Sequence, residues 1–328
     1  MAKKIWITWE NQRRNRSLSE ALGAKLYVFE GGSKAKIVRY VCCIAATLNV
    51  IRHEKPEILF VQNPSLVLAT LAVLLSKITN ILVVVDAHNG GLKPLDGVNR
   101  ALNVWADLIV KFSPITIVTN HVLEKSVAVK TQNTLAVLAD PIPVIRAPVW
   151  EKKLVGAINV LFVCTWAYDE PFKEVLKAAC MLEETTHIYI TGDFIKHFGS
   201  SPDQLPANVT LTGFITDSDF ECLLGSTDII MDLTDREGCL VCGAYEALAL
   251  NKPLILSNTE ASKTYFTDAL HTNNDAAAIA KTINHAKLNL TALGNKSLAM
   301  KDRLDQKWEQ QRSDLERKIN HCKKKHVD

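Results

Sequence analysis

Strand-sized runs of β-branched and aliphatic residues alternate with helix-sized amphipathic segments, which predicts an α/β protein whose parallel sheets are joined by crossover helices. Two further observations give its organisation. The alternation restarts after Pro148, and 328 residues exceed what one hydrophobic core usually organises, so two domains are expected. Both halves also open on an apolar strand that ends in Thr-Trp, at Thr8-Trp9 and at Thr165-Trp166.

In the first half, residues 5–9 read as a strand, 10–16 as a polar loop and 17–22 as a helix. Strands follow at 25–29, 58–62 and 81–86, the last being the most strand-like run of the chain, with helices at 36–52 and 65–77 between them. The second half begins with a buried-type strand over 160–166, a polar loop through Tyr168, Asp169 and Glu170, and a helix on which Phe172, Val175, Leu176, Ala179 and Leu182 share one face. Strands at 187–191, 209–211, 229–232 and 253–256 then alternate with helices at 217–224 and through Glu246. Residues 296–325 read as one charged helix with a sparse apolar stripe of Leu304, Trp308 and Leu315, an element able to pack back on the first domain. The expected domains are therefore 1–150, 151–300 and the helix and basic tail 301–328, with the linker near 146–157.

With 48% hydrophobic and 22% charged residues the composition is that of a globular chain, which excludes a disordered or fibrous one. The net charge of +3 hides an asymmetry: residues 1–150 carry 18 Lys/Arg against 10 Asp/Glu, and residues 151–328 carry 20 against 25. A basic half suits a phosphate-bearing substrate or an anionic leaflet, and equally a plain solvated surface. No secretory segment is read at the start, and the apolar runs 41–51 and 66–75, at roughly ten residues each, fall short of the ~20 that span a bilayer. A cytoplasmic protein, in peripheral contact with the inner membrane surface at most, is expected. The run 41–51, flanked by Arg39 and Arg52, is too continuously apolar for a clear stripe and reads as buried. The eight cysteines fit reduced, packed thiols, and Cys239 and Cys242, a lone C-x-x-C, read as structural.

Chemistry concentrates after the strand 229–232. There the loop 233–238 is expected to turn into a helix whose first turn includes Gly238 and Cys239, a start that presents free N–H groups and a positive dipole end to a diphosphate. Arg236 adds a charged fork of donors, and Glu246, about two turns further on, could accept two ribose hydroxyls or simply face solvent. Residues 211–257, with Thr212-Gly213-Phe214, Asp228, Glu237-Gly238, Glu246-Ala247 and Lys252-Pro253, resemble the nucleotide-sugar site of glycosyltransferase family 4, of GT-B fold. The resemblance implies two Rossmann-like domains facing across a cleft. It implies that Glu237 touches the donor sugar, that Gly238, Cys239 and Leu240 take the diphosphate, and that Glu246 takes the ribose.

Two departures accompany the resemblance. Eight residues separate Glu237 from Glu246 where the family has seven, so an extra loop residue must be absorbed, with Asp235 the substitute for Glu237. The family's Arg-x-x-x-x-Lys pair is missing, and Lys196 stands in for it unless it is a surface lysine. Thr165 and Gly213, at strand ends, complete the donor set. On the acceptor side, His88 follows the strongest strand, where it either bonds the transferred sugar or is an ordinary loop histidine. Asp86 caps that loop or takes the acceptor proton. Arg13, Arg14 and Arg16, in the first loop, suit a diphosphate-bearing acceptor such as a polyprenyl-linked saccharide, or are plain surface charge.

The expected activity is a retaining, metal-independent glycosyl transfer, with no Asp-x-Asp beside Arg236 or Glu246 to hold an ion. The nucleotide sugar is the substrate, carrying UDP ahead of GDP, and no cofactor or nucleic acid is called for. A UDP-sugar 2-epimerase of the same architecture and a non-catalytic partner subunit are the alternatives.

Overall fold

A computed structural model describes residues 2–30, 35–146, 153–199 and 205–327. The chain divides into two compact units, Met1–Pro141 with Lys307–Asp328, and Ile142–Gln306. Of the segment expected to link the domains, residues 147–152 lie outside the described residues.

The first unit runs β1 (Lys4–Thr8), α1 (Arg13–Ala21), β2 (Lys25–Val28), α2 (Lys36–Glu54), β3 (Ile58–Asn63), α3 (Leu66–Ile78) and β4 (Leu82–Ala87). The short α4 (Asn89–Leu92), a 3-10 turn, α5 (Arg100–Phe112), β5 (Ile115–Val118), α6 (His121–Ala128) and β6 (Thr134–Val137) follow. All six strands pair in parallel in the order β2-β1-β3-β4-β5-β6. Successive side chains of a strand face opposite ways, and β1 shows the division. Ile5 and Ile7 join the core under α2, α3 and α5, whereas Trp6 stacks on Phe60 at 5.3 Å in the core of the other face.

The second unit runs β7 (Ile158–Phe162), α7 (Phe172–Ala179), β8 (Thr186–Thr191), α8 (Ile195–Phe198), β9 (Val209–Gly213), α9 (Asp217–Ser226) and β10 (Ile229–Asp232). It continues with α10 (Cys242–Ala249), β11 (Leu254–Ser257), α11 (Glu260–Tyr265), β12 (Leu270–Thr272), α12 (Ala276–Lys287) and the start of α13 (Leu290–Val327). Its parallel sheet has the order β12-β11-β10-β7-β8-β9, the doubly wound arrangement. Val160 and Phe162 meet α7 and α12 on one face, and α10 packs on β10 and β11. Thr216, Thr259 and Asp275 start their helices by accepting a backbone N–H, as expected of such residues at N-caps.

Three expectations need correction. The polar run 10–16 is not all loop: α1 begins at Arg13, so the three arginines are helical. The last helix starts at Leu290 rather than 296, and Lys323, expected in a solvated tail, is ion-paired with Glu57. The helix carrying Glu246 starts at Cys242, leaving Gly238, Cys239 and Leu240 in irregular chain. All eight cysteines are free thiols, and no helix among the described residues is long and apolar enough to cross a membrane.

The sparse stripe of α13 is a packing surface. Trp308, Leu315 and Ile319 are buried in the core of Trp6 and Phe60, and Trp308 Nε1 donates to the Ala139 carbonyl at 3.0 Å. Trp308→Ala opens a cavity and orphans that carbonyl, so the first unit should lose about 3–5 kcal/mol. Hydrogen exchange reads this locally: amides of β4 and β5 should lose protection while those of β10 and β11 keep theirs.

Candidate functional site

In a doubly wound sheet, ligands collect beyond the carboxyl ends of the strands where the strand order reverses. In the second unit that point lies between β7 and β10, which pair through Val160–Ile229 and Leu161–Ile230. The loop after β7 is tightly built. Cys164 N–H donates to Thr191 Oγ1 at 2.9 Å, and Thr165 donates through both N–H and hydroxyl to Glu170. Trp166 takes a left-handed φ of 63°, held by its Nε1–H on the Thr191 carbonyl at 2.8 Å and by ring contact with Phe172. Gly192 makes this approach possible, since a Cβ there would stand 2.3 Å from the Cys164 carbonyl oxygen.

The loop after β10 is tied to the first one by Asp169. Its carboxylate accepts the Thr234 hydroxyl at 2.7 Å and its carbonyl the Asp235 N–H at 2.7 Å. Arg236 Nη2 stands 3.2 Å from Asp169 Oδ1 and donates to the Tyr168 hydroxyl at 3.1 Å, with the guanidinium over the Tyr168 ring. The half-exposed Arg236 head is thereby aimed by both loops. Glu237 is exposed, and its carboxylate accepts the Glu260 N–H at 2.9 Å at the start of α11. Asp235 is exposed and accepts from Asn274 at 2.7 Å.

The start of α10 differs most from expectation. Its Gly243 N–H is taken by Asp232 Oδ2 at 2.8 Å, an approach so close that a Cβ on Gly243 would lie 2.7 Å from that oxygen. Glu246 falls just past the first turn, not two turns in, and is buried. Burial pushes the Asp232 carboxyl well above the usual range. The Gly243 N–H offsets part of this, and Glu170, Glu246 and Asp169 add to it. Asp232 is thereby favoured in its neutral form. Gly213 ends β9 with a φ of 67°, Thr165 is exposed, and Lys196 belongs to α8 with its side chain outside the described residues.

In the first unit the order reverses between β1 and β3, and a second polar cluster stands at the carboxyl ends of β1, β3 and β4. Arg14 is buried, with Nε and Nη2 donating to the two Asp86 oxygens at 2.9 and 2.7 Å, Nη1 to Asp140 at 2.9 Å and Nη2 also to the Leu138 carbonyl. Burial works against both charges, but their mutual attraction, with Asp140 and His88 adding to it, outweighs it. Asp86 is held well below the usual carboxylate range and Arg14 is raised further. His88 Nε2 lies 3.2 Å from Asp86 Oδ2 and 3.4 Å from Gln62 Nε2. Gln62 is fixed in turn by Thr8, Gln12 and Asn15. Arg13 and Arg16 lie on the exposed side of α1, Arg16 bonded to Asn11 at 2.8 Å.

Sequence reasoning missed Asp169, Glu170 and Asp232 in one unit and Gln62 and Asp140 in the other. A polar run directly after an apolar strand was the available signal for the first two. It also read Arg14 as an acceptor-binding residue or plain surface charge, although the residue is internal.

No family model and no curated protein matches the sequence. Among solved structures, HepE of Anabaena in complex with UDP and glucose superposes with a TM-score of 0.74 at 11% identity, over 96% of this chain and 91% of that one. Sucrose-phosphate synthase of Thermosynechococcus elongatus gives 0.71 at 15% identity, over 91% and 83%. A glycosyltransferase of Rickettsia africae gives 0.68 at 13%, over 98% and 90%. Such likeness establishes architecture: the chain has the GT-B fold.

Two measurements of stability against pH test the electrostatics. Because Asp86 is depressed in the fold, its contribution is present above about pH 4 and lost as pH falls below that. Arg14→Met leaves the buried carboxylate with His88 alone beside it, which should cost about 3–5 kcal/mol near neutrality. The sign also reverses, since burial alone raises Asp86, so the variant should lose stability as pH rises past about 4. Asp232 is already raised, so the second unit loses stability as pH rises from about 4 toward its folded value. Asp232→Asn keeps an oxygen for Gly243 and removes this loss, so at pH 7 the variant should unfold at a urea concentration no lower than the wild type.

Proposed function

We propose that the chain is a glycosyltransferase that moves a sugar from a nucleoside-diphosphate sugar to a hydroxyl of a glycan or lipid-linked saccharide. The reading includes UDP as the expected nucleotide, retention of anomeric configuration and no metal or cofactor. It rests chiefly on one observation: at the strand-order reversal of the second unit, a guanidinium aimed by two loops stands with a buried glutamate on the helix that follows. The GT-B architecture supports it, as does the UDP in the similarly folded HepE complex.

In this mechanism Arg236 and the chain at Gly238, Cys239 and Leu240 take the diphosphate, with Lys196 and Gly213 beside them, while Thr165, whose N–H and hydroxyl both donate to Glu170, leaves the donor set. Charge developing on the leaving group is stabilised by donors already in place, which is the main catalytic contribution in such a site. Glu246 accepts the ribose hydroxyls. The raised proton affinity of Asp232 favours less negative charge next to an anionic substrate, and its carboxyl holds the Gly243 N–H. Glu237, exposed near the start of α11, meets the donor sugar, and Asp235 is its substitute.

The first unit takes the acceptor. Asp86, doubly bonded to Arg14, is too weak a base to remove the acceptor proton, so its role is to orient His88, which makes the contact to sugar or acceptor. Arg14 leaves the acceptor set because it is buried and its donors are spent internally, while Arg13 and Arg16, on the exposed side of α1, are the residues placed to meet an acceptor diphosphate. The protein works in the cytoplasm, peripheral at a membrane.

Thermal-shift measurements test the donor site. UDP, and to a smaller degree GDP, should raise the melting temperature of the wild type. Glu246→Gln and Arg236→Ala should each lose about 1.5–3 kcal/mol of that binding, roughly tenfold or more in affinity. Equal responses from both variants and the wild type would place the nucleotide elsewhere.

A further inference from the structure

The helix layer formed by α2, α3 and α5 carries an apolar stripe on its solvent side that the core does not use. On α2, Ile37 is 80% exposed and Val41 follows at i+4 on the same face, although this helix was expected to be buried. On α3, Leu74 is exposed and Ile78 is 79% exposed one turn on. On α5 the stripe continues through Val104, Leu108 and Phe112, again at i+4 steps. The three helices lie side by side, α3 between the other two. Single exposed aliphatics need no explanation, but exposed apolar pairs at i+4 on each of three neighbouring helices do.

The charges around these side chains are predominantly basic: Lys36, Arg52, Lys77, Arg100 and Lys111 are exposed. The two carboxylates of these helices are each ion-paired, Glu54 with Lys3 and Lys25, and Asp107, half-exposed itself, with Lys130. A second copy of the chain would bring basic against basic, whereas an anionic bilayer offers phosphates to the lysines and acyl chains to the aliphatics.

We infer that this face of the first unit docks on the surface of an anionic lipid bilayer, apolar side chains in the interfacial zone and basic ones on the headgroups. The inference extends the peripheral-membrane reading above by assigning it a face. Lipid binding requires no sugar transfer, so failure here leaves the donor-site reading standing, and the reverse.

The test is co-sedimentation of the full chain with vesicles of phosphatidylcholine alone and with about a third of phosphatidylglycerol added. The wild type should pellet with the anionic vesicles at low salt, at least about tenfold more weakly with neutral ones, and be released as salt is raised. Lys77→Gln and Lys111→Gln should each weaken binding about fivefold. Ile37→Asp combined with Ile78→Asp should abolish it while UDP thermal shifts and the melting temperature stay at wild-type values, the positions being exposed. The inference is overturned if the wild type stays in the supernatant at low salt, or if the aspartate variant pellets as the wild type does. It is equally overturned if light scattering shows a wild-type dimer that this variant dissociates, which would assign the face to a second copy.

Discussion

A parallel sheet buried on both faces leaves polar chemistry only its edges and ends, and both units are organised by that constraint. The strand interiors Ile5–Ile7, Val83–Val85 and Ile229–Met231 are wholly apolar and fully buried. Polar residues enter at the last two strand positions: Thr8, Gln62 and Asp86 in the first unit, and Thr191 and Asp232 in the second. Buried there, each needs a partner, because an unsatisfied polar group costs more than a hydrogen bond returns.

The two units satisfy the requirement in opposite ways. The first matches charge with charge: one guanidinium spans Asp86 and Asp140, Asp86 holds His88, and a net of amide and hydroxyl groups joins Gln62 to Thr8 and Asn15 beside it. The second gathers carboxyl groups of like sign around the end of β10 and lowers their cost by favouring the neutral form of Asp232. A fixed ion pair makes a rigid support. A carboxyl whose proton affinity is raised lessens the repulsion among these acids at a helix start, with Arg236 as the cation aimed there.

How far the sequence could be read follows from the same physics. Long apolar runs declared themselves, and β10 falls on the expected residues 229–232. The four-residue β5 and β6 carry too little pattern to stand out from the helices around them, and only the sheet identifies them. The start of α10 was displaced because composition cannot say that Asp232 takes the Gly243 N–H, which sets where the helix begins. The run Arg13-Arg14-Asn15-Arg16 has no apolar residue to mark a helical face. Its buried side, Arg14 and Asn15, is polar because it serves the strand ends rather than the aliphatic core.

That misreading changes what the basic first half means. Counted along the chain its excess positive charge looks like one diffuse field, yet in the fold it separates by task. Arg14 is consumed inside, while Lys3, Lys25 and Lys130 neutralise neighbouring carboxylates. Lys323 arrives from the far end of the chain to pair with Glu57. The exposed charge left on α2, α3 and α5 is basic and borders exposed aliphatic side chains. Net charge therefore measures the number of cations, and only burial and pairing separate those that hold the fold together from those able to meet a ligand or a surface.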